Sequence, residues 1–555
     1  MSIQAGVLKA ADPHRTPARV AAALSVVVFS ISLGADFVYD DLARIVQDDR
    51  IRHLSSIGKL LTGEYNGDGQ DNLYRPLVSL TYAIQYWLHG TLGWPYHLVN
   101  VLLHGWVTYL VAILAGRLAP MEVGRRAAWI AGVIFAVHPI HAEAVIAIVG
   151  RAESMCALGY LGAILLLLPV ARGQSALSTR RATACAGCAV VALLSKEQGM
   201  VLPLILLLMW LLGRQARPVS TATLDRSSGV GTGRGVIDYA HPNAKRPGLA
   251  PGWAILILGI CGSVALYIVA REQWLGLRLW WDRSFLDWSI QPLIRAEGVH
   301  RWLIPTEIMG RYVELLLFPR VLAMDYGAAV IMPKTTPGSA HLWIGALTIA
   351  TYAAVTVVAA VRRSWCHLWL LLAFGVCYGV ISNFVTIIGT TMGERLMYLP
   401  TVFLFSVIGL WLAGLKQRRW HLPLLVILAA VWGLRCIDYG RHWMDARGYY
   451  EYQLQTQPKS MRVLLAAGLS AMEAGELDRA AEIAAQARAT LPDYWDAWVM
   501  SGKIALQQQR YDDAVRFMQE AFRLWPSVYT QRQLGEAQAA RNRAELNSTA
   551  PEKGH

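Results

Sequence analysis

Residues 96–116 read YHLVNVLLHGWVTYLVAILAG and carry no Lys, Arg, Asp or Glu. At 1.5 Å per residue such a run is long enough to take a helix through the ~30 Å hydrocarbon core of a bilayer. Apolar runs of the same kind recur at about 20–35, 127–148, 155–171, 182–195, 199–213, 251–270, 342–361, 365–386, 397–415 and 421–436. That makes about eleven candidate spans, several of them short. The whole chain agrees, because 555 residues at 55% hydrophobic and 16% charged, with a mean hydropathy of +0.36, cannot keep a polar surface. With 21 Trp and 22 Tyr, the composition also excludes disorder and collagen-like repeats.

Lys and Arg should collect in cytoplasmic loops, and they occupy every second loop. Arg117, Arg125 and Arg126 follow the second run. Arg172, Arg180 and Arg181 follow the fourth, and Arg214, Arg217, Arg226, Arg234, Lys245 and Arg246 the sixth. Arg362 and Arg363, then Lys416, Arg418 and Arg419, complete the series. The net charge of +13 is thus a topology signal, and no RNA-binding motif accompanies it, so no nucleic acid partner is expected. The first run lacks a small-residue cleavage site and reads as an uncleaved span. Leu303–Phe318 is apolar too, but counting it would put Arg362 and Arg363 outside; it reads as an interfacial or re-entrant helix. An odd number of spans starting inside sends the C-terminal region to the opposite face. Cys156, Cys185, Cys188, Cys261 and Cys377 lie within apolar runs, and Cys366 and Cys436 near their ends, so no disulfide framework is implied. Cys185-x-x-Cys188 reads as helix packing.

After about Gln453 the chain becomes Ala-rich and amphipathic. Leu477-Asp-Arg-Ala480 and Tyr511-Asp-Asp-Ala514 recur 34 residues apart, as do Ala487 and Ala521, and Leu491-Pro492 and Trp525-Pro526. That is the period of a tetratricopeptide helix pair, with Gly468 and Gly502 where its helices approach closely. Two repeats rarely stand alone, so the helix after Tyr529 is expected to cap the stack, helped by Tyr449–Gln455. The expected architecture is all-α: a cytoplasmic tail over 1–18, a multispan membrane unit over 19–437, a connector over 438–460, an α-solenoid of about two repeats over 461–545, and a flexible tail over 546–555.

Ionisable groups at membrane depth are costly and mark function. Asp40-Asp41 follow the first run on the outer face, where a carboxylate can accept a proton from a hydroxyl or hold a divalent cation. His138-Pro-Ile-His141-Ala-Glu143 and Arg151-Ala-Glu153 end the third run on the same face. His-x-x-His is a metal-ligand spacing, yet Pro139 bends the chain and no third ligand is fixed, which favours a polar wall of a site. Lys196-Glu197 end the fifth run, where a lysine can neutralise a phosphate or simply anchor the helix. Glu394-Arg395 and Tyr74-Arg75 add to the same face.

Taken together, several segments resemble the transmembrane O-mannosyltransferases that carry tetratricopeptide repeats and modify cadherins, and their bacterial relatives. The matching stretches are Phe37-Val-Tyr-Asp-Asp41, Tyr74-Arg-Pro-Leu77, Tyr96–His104, Val137–Val145 with Gly150-Arg-Ala-Glu153, Ser195-Lys-Glu-Gln-Gly199, Leu316-Leu-Phe-Pro319 with Asp325-Tyr326, and Gly393–Pro400. The likeness runs in order over about 20–415; the chain departs from the animal members in having about two repeats in place of a long array. The resemblance implies a type C glycosyltransferase that takes a sugar, mannose first, from a polyprenyl-phosphate carrier. Asp41 would be the general base, with Asp40 beside it. Lys196, Arg395 and Arg75 would neutralise the leaving phosphate, and His138, His141, Glu143, Arg151 and Glu153 would shape the sugar pocket, with Tyr74, Glu197 and Glu394 nearby. No cofactor is implied beyond the divalent cation that Asp40 and Asp41 allow. The partners implied are the bilayer, the lipid-linked donor and a polypeptide acceptor held by the repeats. The alternatives are a transferase of the same fold acting on lipid or polysaccharide, a repeat scaffold without activity, and a transporter. The excess of Arg over Lys, and an ending Pro551-Glu-Lys-Gly-His555 without a retention signal, point to a bacterial inner membrane with the repeats in the periplasm.

Overall fold

The computed structural model describes residues 12–63, 65, 73–215, 251–274, 288–415 and 421–549, and among them no residue is in a strand. The start of the tail, the basic residues Arg217, Arg226, Arg234, Lys245, Arg246, Lys416, Arg418 and Arg419, and the last six residues lie outside the described residues. The chain opens with α1 (Arg15–Phe29), extended by a 3-10 turn to Gly34. The first long loop holds α2 (Asp49–Arg52), α3 (Ile57–Thr62) and α4 (Pro76–His89). Then come α5 (Gly93–Leu118), α6 (Met121–Val137), α7 (Ala142–Ile146), α8 (Arg151–Ala171), α9 (Thr179–Ser195), α10 (Leu202–Gln215) and α11 (Pro251–Val269). The second long loop holds α12 (His300–Leu317), and α13 (Ala340–Val361), α14 (Trp365–Ile381), α15 (Tyr398–Gly414) and α16 (His421–Arg441) follow. The C-terminal part is α17 (Ala446–Thr456), α18 (Met461–Glu473), α19 (Leu477–Thr490), α20 (Trp495–Gln507), α21 (Tyr511–Leu524) and α22 (Val528–Thr549).

Eight helical segments among the described residues are long and apolar enough to cross a membrane, and the pair α6 and α7, bent by 53° around His138-Pro139, makes nine. The other two runs of the sequence form α9 and α14, of 17 residues each, which fall short of ~30 Å. Burial sorts the spans into layers. The segments 148–171 and 394–414 are 72% and 78% buried, so α8 and α15 stand at the centre of the bundle. The segment 340–361 is 11% buried and turns Trp343, Leu347, Val357 and Val361 outward, as a helix facing lipid does.

The apolar stretch around Leu303–Phe318, not read as a span, is the amphipathic helix α12, which buries Ile304, Ile308, Tyr312 and Leu315. It lies against α13, and the two backbones approach so closely that a Cβ on Gly310 would collide with the His341 carbonyl and one on Gly345 with the Thr306 carbonyl. In the first long loop α4 starts with Pro76 at its first turn, buries Val78, Tyr82 and Ala83, and exposes Ile84, Trp87 and Leu88. Such a helix suits the membrane interface.

The repeats form two helix pairs, α18–α19 and α20–α21. A Cβ on Gly502 would stand 2.7 Å from Met518 Cε, so this glycine marks the close approach expected within its pair, whereas one on Gly468 would stand 2.6 Å from Met500 Sδ of α20, at the contact with the next pair. Helix α22 packs on α20 and α21 as a cap, and α17 closes the other end against α18. The stack is seated on the membrane unit. Gln453 Oε1 accepts from Met324 N (3.0 Å), Ser460 Oγ donates to Asp325 Oδ2 (2.8 Å), and Arg295 pairs with Asp493 (3.2 Å).

Candidate functional site

The charged residues singled out in the sequence meet at one end of the bundle. Arg395, which opens the α15 segment, pairs with Asp40 (3.1 Å) and with Glu143 (3.4 Å), and its backbone N–H donates to Glu143 Oε2 (2.9 Å). Lys196, at the end of α9, pairs with Glu153 on α8 with both side chains buried. Arg75, just before α4, pairs with Glu197 (3.0 Å). Glu153 stands between the groups, near enough to Arg75 on one side and to Glu143 and Arg395 on the other to act on their charge. The opposite end holds basic residues, with Arg172 donating to the Arg117 carbonyl (2.6 Å). Gathering both acidic and basic groups at one end is what the alternation of loops required.

The two aspartates have different surroundings. Tyr39, just before the pair, takes a left-handed backbone (φ 53°). Asp41 has no exposed surface, and its oxygens accept from Ile148 N (3.0 Å) and Val149 N (2.9 Å) at the start of the α8 segment. Burial pushes its carboxyl up to about 7 against those two donors. Asp40 keeps 32% of its side chain exposed. Burial raises its carboxyl too, but the guanidiniums of Arg395 and Arg462 outweigh that and hold it below the usual carboxylate value. The accessible, ionised member of the pair is therefore Asp40, where the sequence reading preferred Asp41.

Behind the aspartates runs an irregular segment, 138–150, whose backbone polar groups need partners. His97, Asn100 and His104 lie three and four residues apart, on one face of α5. His97 Nδ1 bonds the Ile146 carbonyl (3.0 Å), Asn100 Nδ2 donates to the Ala147 carbonyl (2.9 Å), and Tyr82 donates to the Ile148 carbonyl (3.0 Å). Arg151, predicted to shape a sugar pocket, is a buried tie instead: it donates to Asn100 Oδ1, Thr81 Oγ1 and the Tyr96 carbonyl. His138 and His141 also leave the list. His138 Nε2 donates to the Leu316 carbonyl (3.0 Å) while its Nδ1 accepts from Ile140 N, and His141 bonds the Phe135 carbonyl (2.9 Å) and Thr401 Oγ1 (2.8 Å). The His141 ring sits among Phe135, Tyr398 and Phe405 and the His138 ring against Phe405 and Trp432, both with no exposed surface. Glu394 is likewise internal, accepting from Ala323 N (2.7 Å) and Tyr326 (2.8 Å), and Tyr74 donates to the Leu61 carbonyl (2.7 Å).

Among the described residues no three His, Cys, Asp or Glu side chains are arranged to hold a metal ion. Both Asp41 oxygens already accept from amides. Arg44 escaped the sequence reading, and so did Arg462, from the first repeat helix, which stands over the Tyr39 ring (5.6 Å). Its position early in α18 carries no mark in the sequence, since the fit of the repeats onto the bundle cannot be read there.

Comparisons with known proteins agree with both halves of the chain. A tetratricopeptide repeat family model matches residues 465–529. Protein O-mannosyl-transferase Tmtc1 of Drosophila melanogaster is 26% identical over 521 residues, covering 81% of this chain and 59% of that protein. Protein O-mannosyl-transferase TMTC4 of Mus musculus is 26% identical over 490 residues, covering 79% of this chain and 62% of its own. A shorter stretch is 37% identical to protein O-mannosyl-transferase tmtc2 of Xenopus laevis over 190 residues, 32% of this chain and 22% of that one. The chain spans about three fifths of the length of the first two relatives. Among solved structures, ArnT from Cupriavidus metallidurans bound to undecaprenyl phosphate aligns at a TM-score of 0.43 and 16% identity, covering 94% of this chain and 77% of that one.

Proposed function

This chain's curated relatives are protein O-mannosyl-transferases, and from that premise we propose that it is a membrane glycosyltransferase of type C. It moves a single sugar, mannose by the names of its relatives, from a polyprenyl phosphate onto Ser or Thr hydroxyls of an exported polypeptide. The reading is carried by one observation: an accessible carboxylate, Asp40, stands at the same end of the bundle as Arg395, Lys196 and Arg75. Asp40 takes the proton of the acceptor hydroxyl, the oxygen attacks the anomeric carbon, and the bond from that carbon to the phosphate oxygen breaks. Cations beside the departing phosphate stabilise its growing charge. In-line displacement in one step inverts the sugar carbon, with no covalent enzyme intermediate. Each of the three cations holds a carboxylate in the structure, so the arriving phosphate shares or competes for them with Asp40, Glu143, Glu153 and Glu197. The unit over 19–437 would carry the chemistry, and the repeats over 461–545, seated at the same end, would hold the polypeptide.

The test is to reconstitute the purified protein with labelled polyprenyl-phosphate mannose and an extract of membrane and periplasmic proteins. Label that appears on polypeptide and is released by mild alkaline elimination supports the reading. Label confined to lipid or polysaccharide would transfer the function to another acceptor, and no transfer at all would end the reading.

A further inference from the structure

Arg462 is the second residue of α18, whose N-cap Ser460 bonds to Asp325 (2.8 Å) and so fixes the start of the helix against the membrane unit. Its guanidinium carbon lies 5.6 Å from the centre of the Tyr39 ring, and its charge acts on Tyr39, Asp325 and Asp40. Lys196, Arg395 and Arg75 each have a carboxylate in direct contact. Arg462 has no hydrogen bond or ion pair of its own among the described residues. A cation brought in from another part of the fold, aimed at the turn that carries the base and spent on no partner, is placed to serve that turn.

We propose that Arg462 is a positioning residue for the transfer, which braces the Tyr39–Asp40 turn from the repeat region and keeps the Asp40 carboxylate ready to accept a proton. The proposal rests on the reading of Asp40 as the base. Its physical content is twofold. A bulky aromatic in the left-handed region is strained and persists only where surrounding structure holds it, and a guanidinium over the ring face is such a hold. The positive charge also favours the ionised carboxylate. The groups that face Asp40 are the cations Arg395, Arg462 and Arg44, the carboxylates Asp41 and Glu143, and the phenols of Tyr39, Tyr65 and Tyr450. Loss of Arg462 leaves two cations against two carboxylates, and the proton on Asp40 becomes easier to gain. In this arrangement the seating of the repeats and the readiness of the base are one event.

The experiment is the pH profile of transfer by the full chain, as wild type, Arg462→Gln, Arg462→Lys and Ser460→Ala, each first checked for a wild-type melting transition. Arg462→Gln should move the acid limb to higher pH, with turnover below neutrality falling by about threefold or more and the KM for polyprenyl-phosphate mannose unchanged. Arg462→Lys should return the limb towards wild type. Ser460→Ala loosens the start of α18 without touching Arg462 and should shift the limb in the same direction, which covers the case in which Arg462→Gln does not fold. A uniform loss at every pH, or a raised donor KM with the limb unmoved, would overturn the proposal. A wild type that transfers no sugar would instead overturn the function itself.

Discussion

At the scale of single residues, the division between Asp40 and Asp41 decides the mechanism. Asp40→Asn removes the base and one partly exposed ion pair of Arg395, which keeps Glu143, so transfer should fall by a factor on the order of 10² or more while the melting transition stays close to wild type. Asp41→Asn places an amide against the N–H groups of Ile148 and Val149, losing at least one buried hydrogen bond; it should cost about 1–3 kcal/mol of stability, read by thermal melting. The pH profile separates the two independently. Asp40 must be ionised to act, and its carboxyl lies below the usual value, so activity should persist as pH falls through neutrality and fail only when Asp40 takes up its proton. An acid limb at about 7 would return the role to Asp41. Lys196 needs a cycle of mutants, because its partner Glu153 is buried with it. Lys196→Met alone strands a buried carboxylate and should cost about 3–5 kcal/mol. Adding Glu153→Met should restore stability and leave transfer lost, whereas recovered transfer would make the pair a structural tie. The sequence disclosed which charged residues share an end of the bundle, because loop alternation fixes that. It did not disclose who pairs with whom, since Arg75 and Glu197, or Asp40 and Arg395, are joined only by the packing of separate helices.

Elements were legible in proportion to their periodicity. The long apolar runs announced their helices, and the 34-residue recurrence announced the repeats and their cap. Helix α4 was not read, although Pro76 and an apolar face were present, because a half-buried interfacial helix is shorter and more polar than a span. The face of α5 formed by His97, Asn100 and His104 was quoted only as part of a resemblance; its physical meaning needed the irregular segment 138–150 lying across it. That segment depends on Asn100, which donates to the Ala147 and Ile148 carbonyls and accepts from Arg151 Nε. Asn100→Ala should therefore cost about 2–3 kcal/mol, since it strands a buried guanidinium donor, while the Ala147 and Ile148 carbonyls keep Gly150 N and Tyr82 as donors. A melting curve checks this, and a variant as stable as wild type would mean that the segment holds itself. Transfer should fall together with stability, because the same segment carries Glu143 and ends at the amides that hold Asp41.

For the whole molecule, the question is which side of the membrane receives the end that carries Asp40 and the repeats. Those two are on one side together, since Ser460, Gln453 and Asp493 of the C-terminal part bond to the same face of the bundle on which Asp40 meets Arg395. The opposite end carries Arg117 and Arg172, and positive residues are retained in the cytoplasm. The physical expectation is therefore that Gln174, exposed at the basic end beside Arg172, faces inward, and that Gln507, exposed at the end of α20, faces outward. Single cysteines placed at the two positions and treated with a membrane-impermeant maleimide test it. Intact cells should label Gln507→Cys at once and Gln174→Cys only after permeabilisation. The reverse pattern would invert the molecule and would require a donor and an acceptor available on the cytoplasmic side. Labelling of both in intact cells would mean that the bundle crosses an even number of times between them, and one of the short helices α9 and α14, but not both, would then be no span.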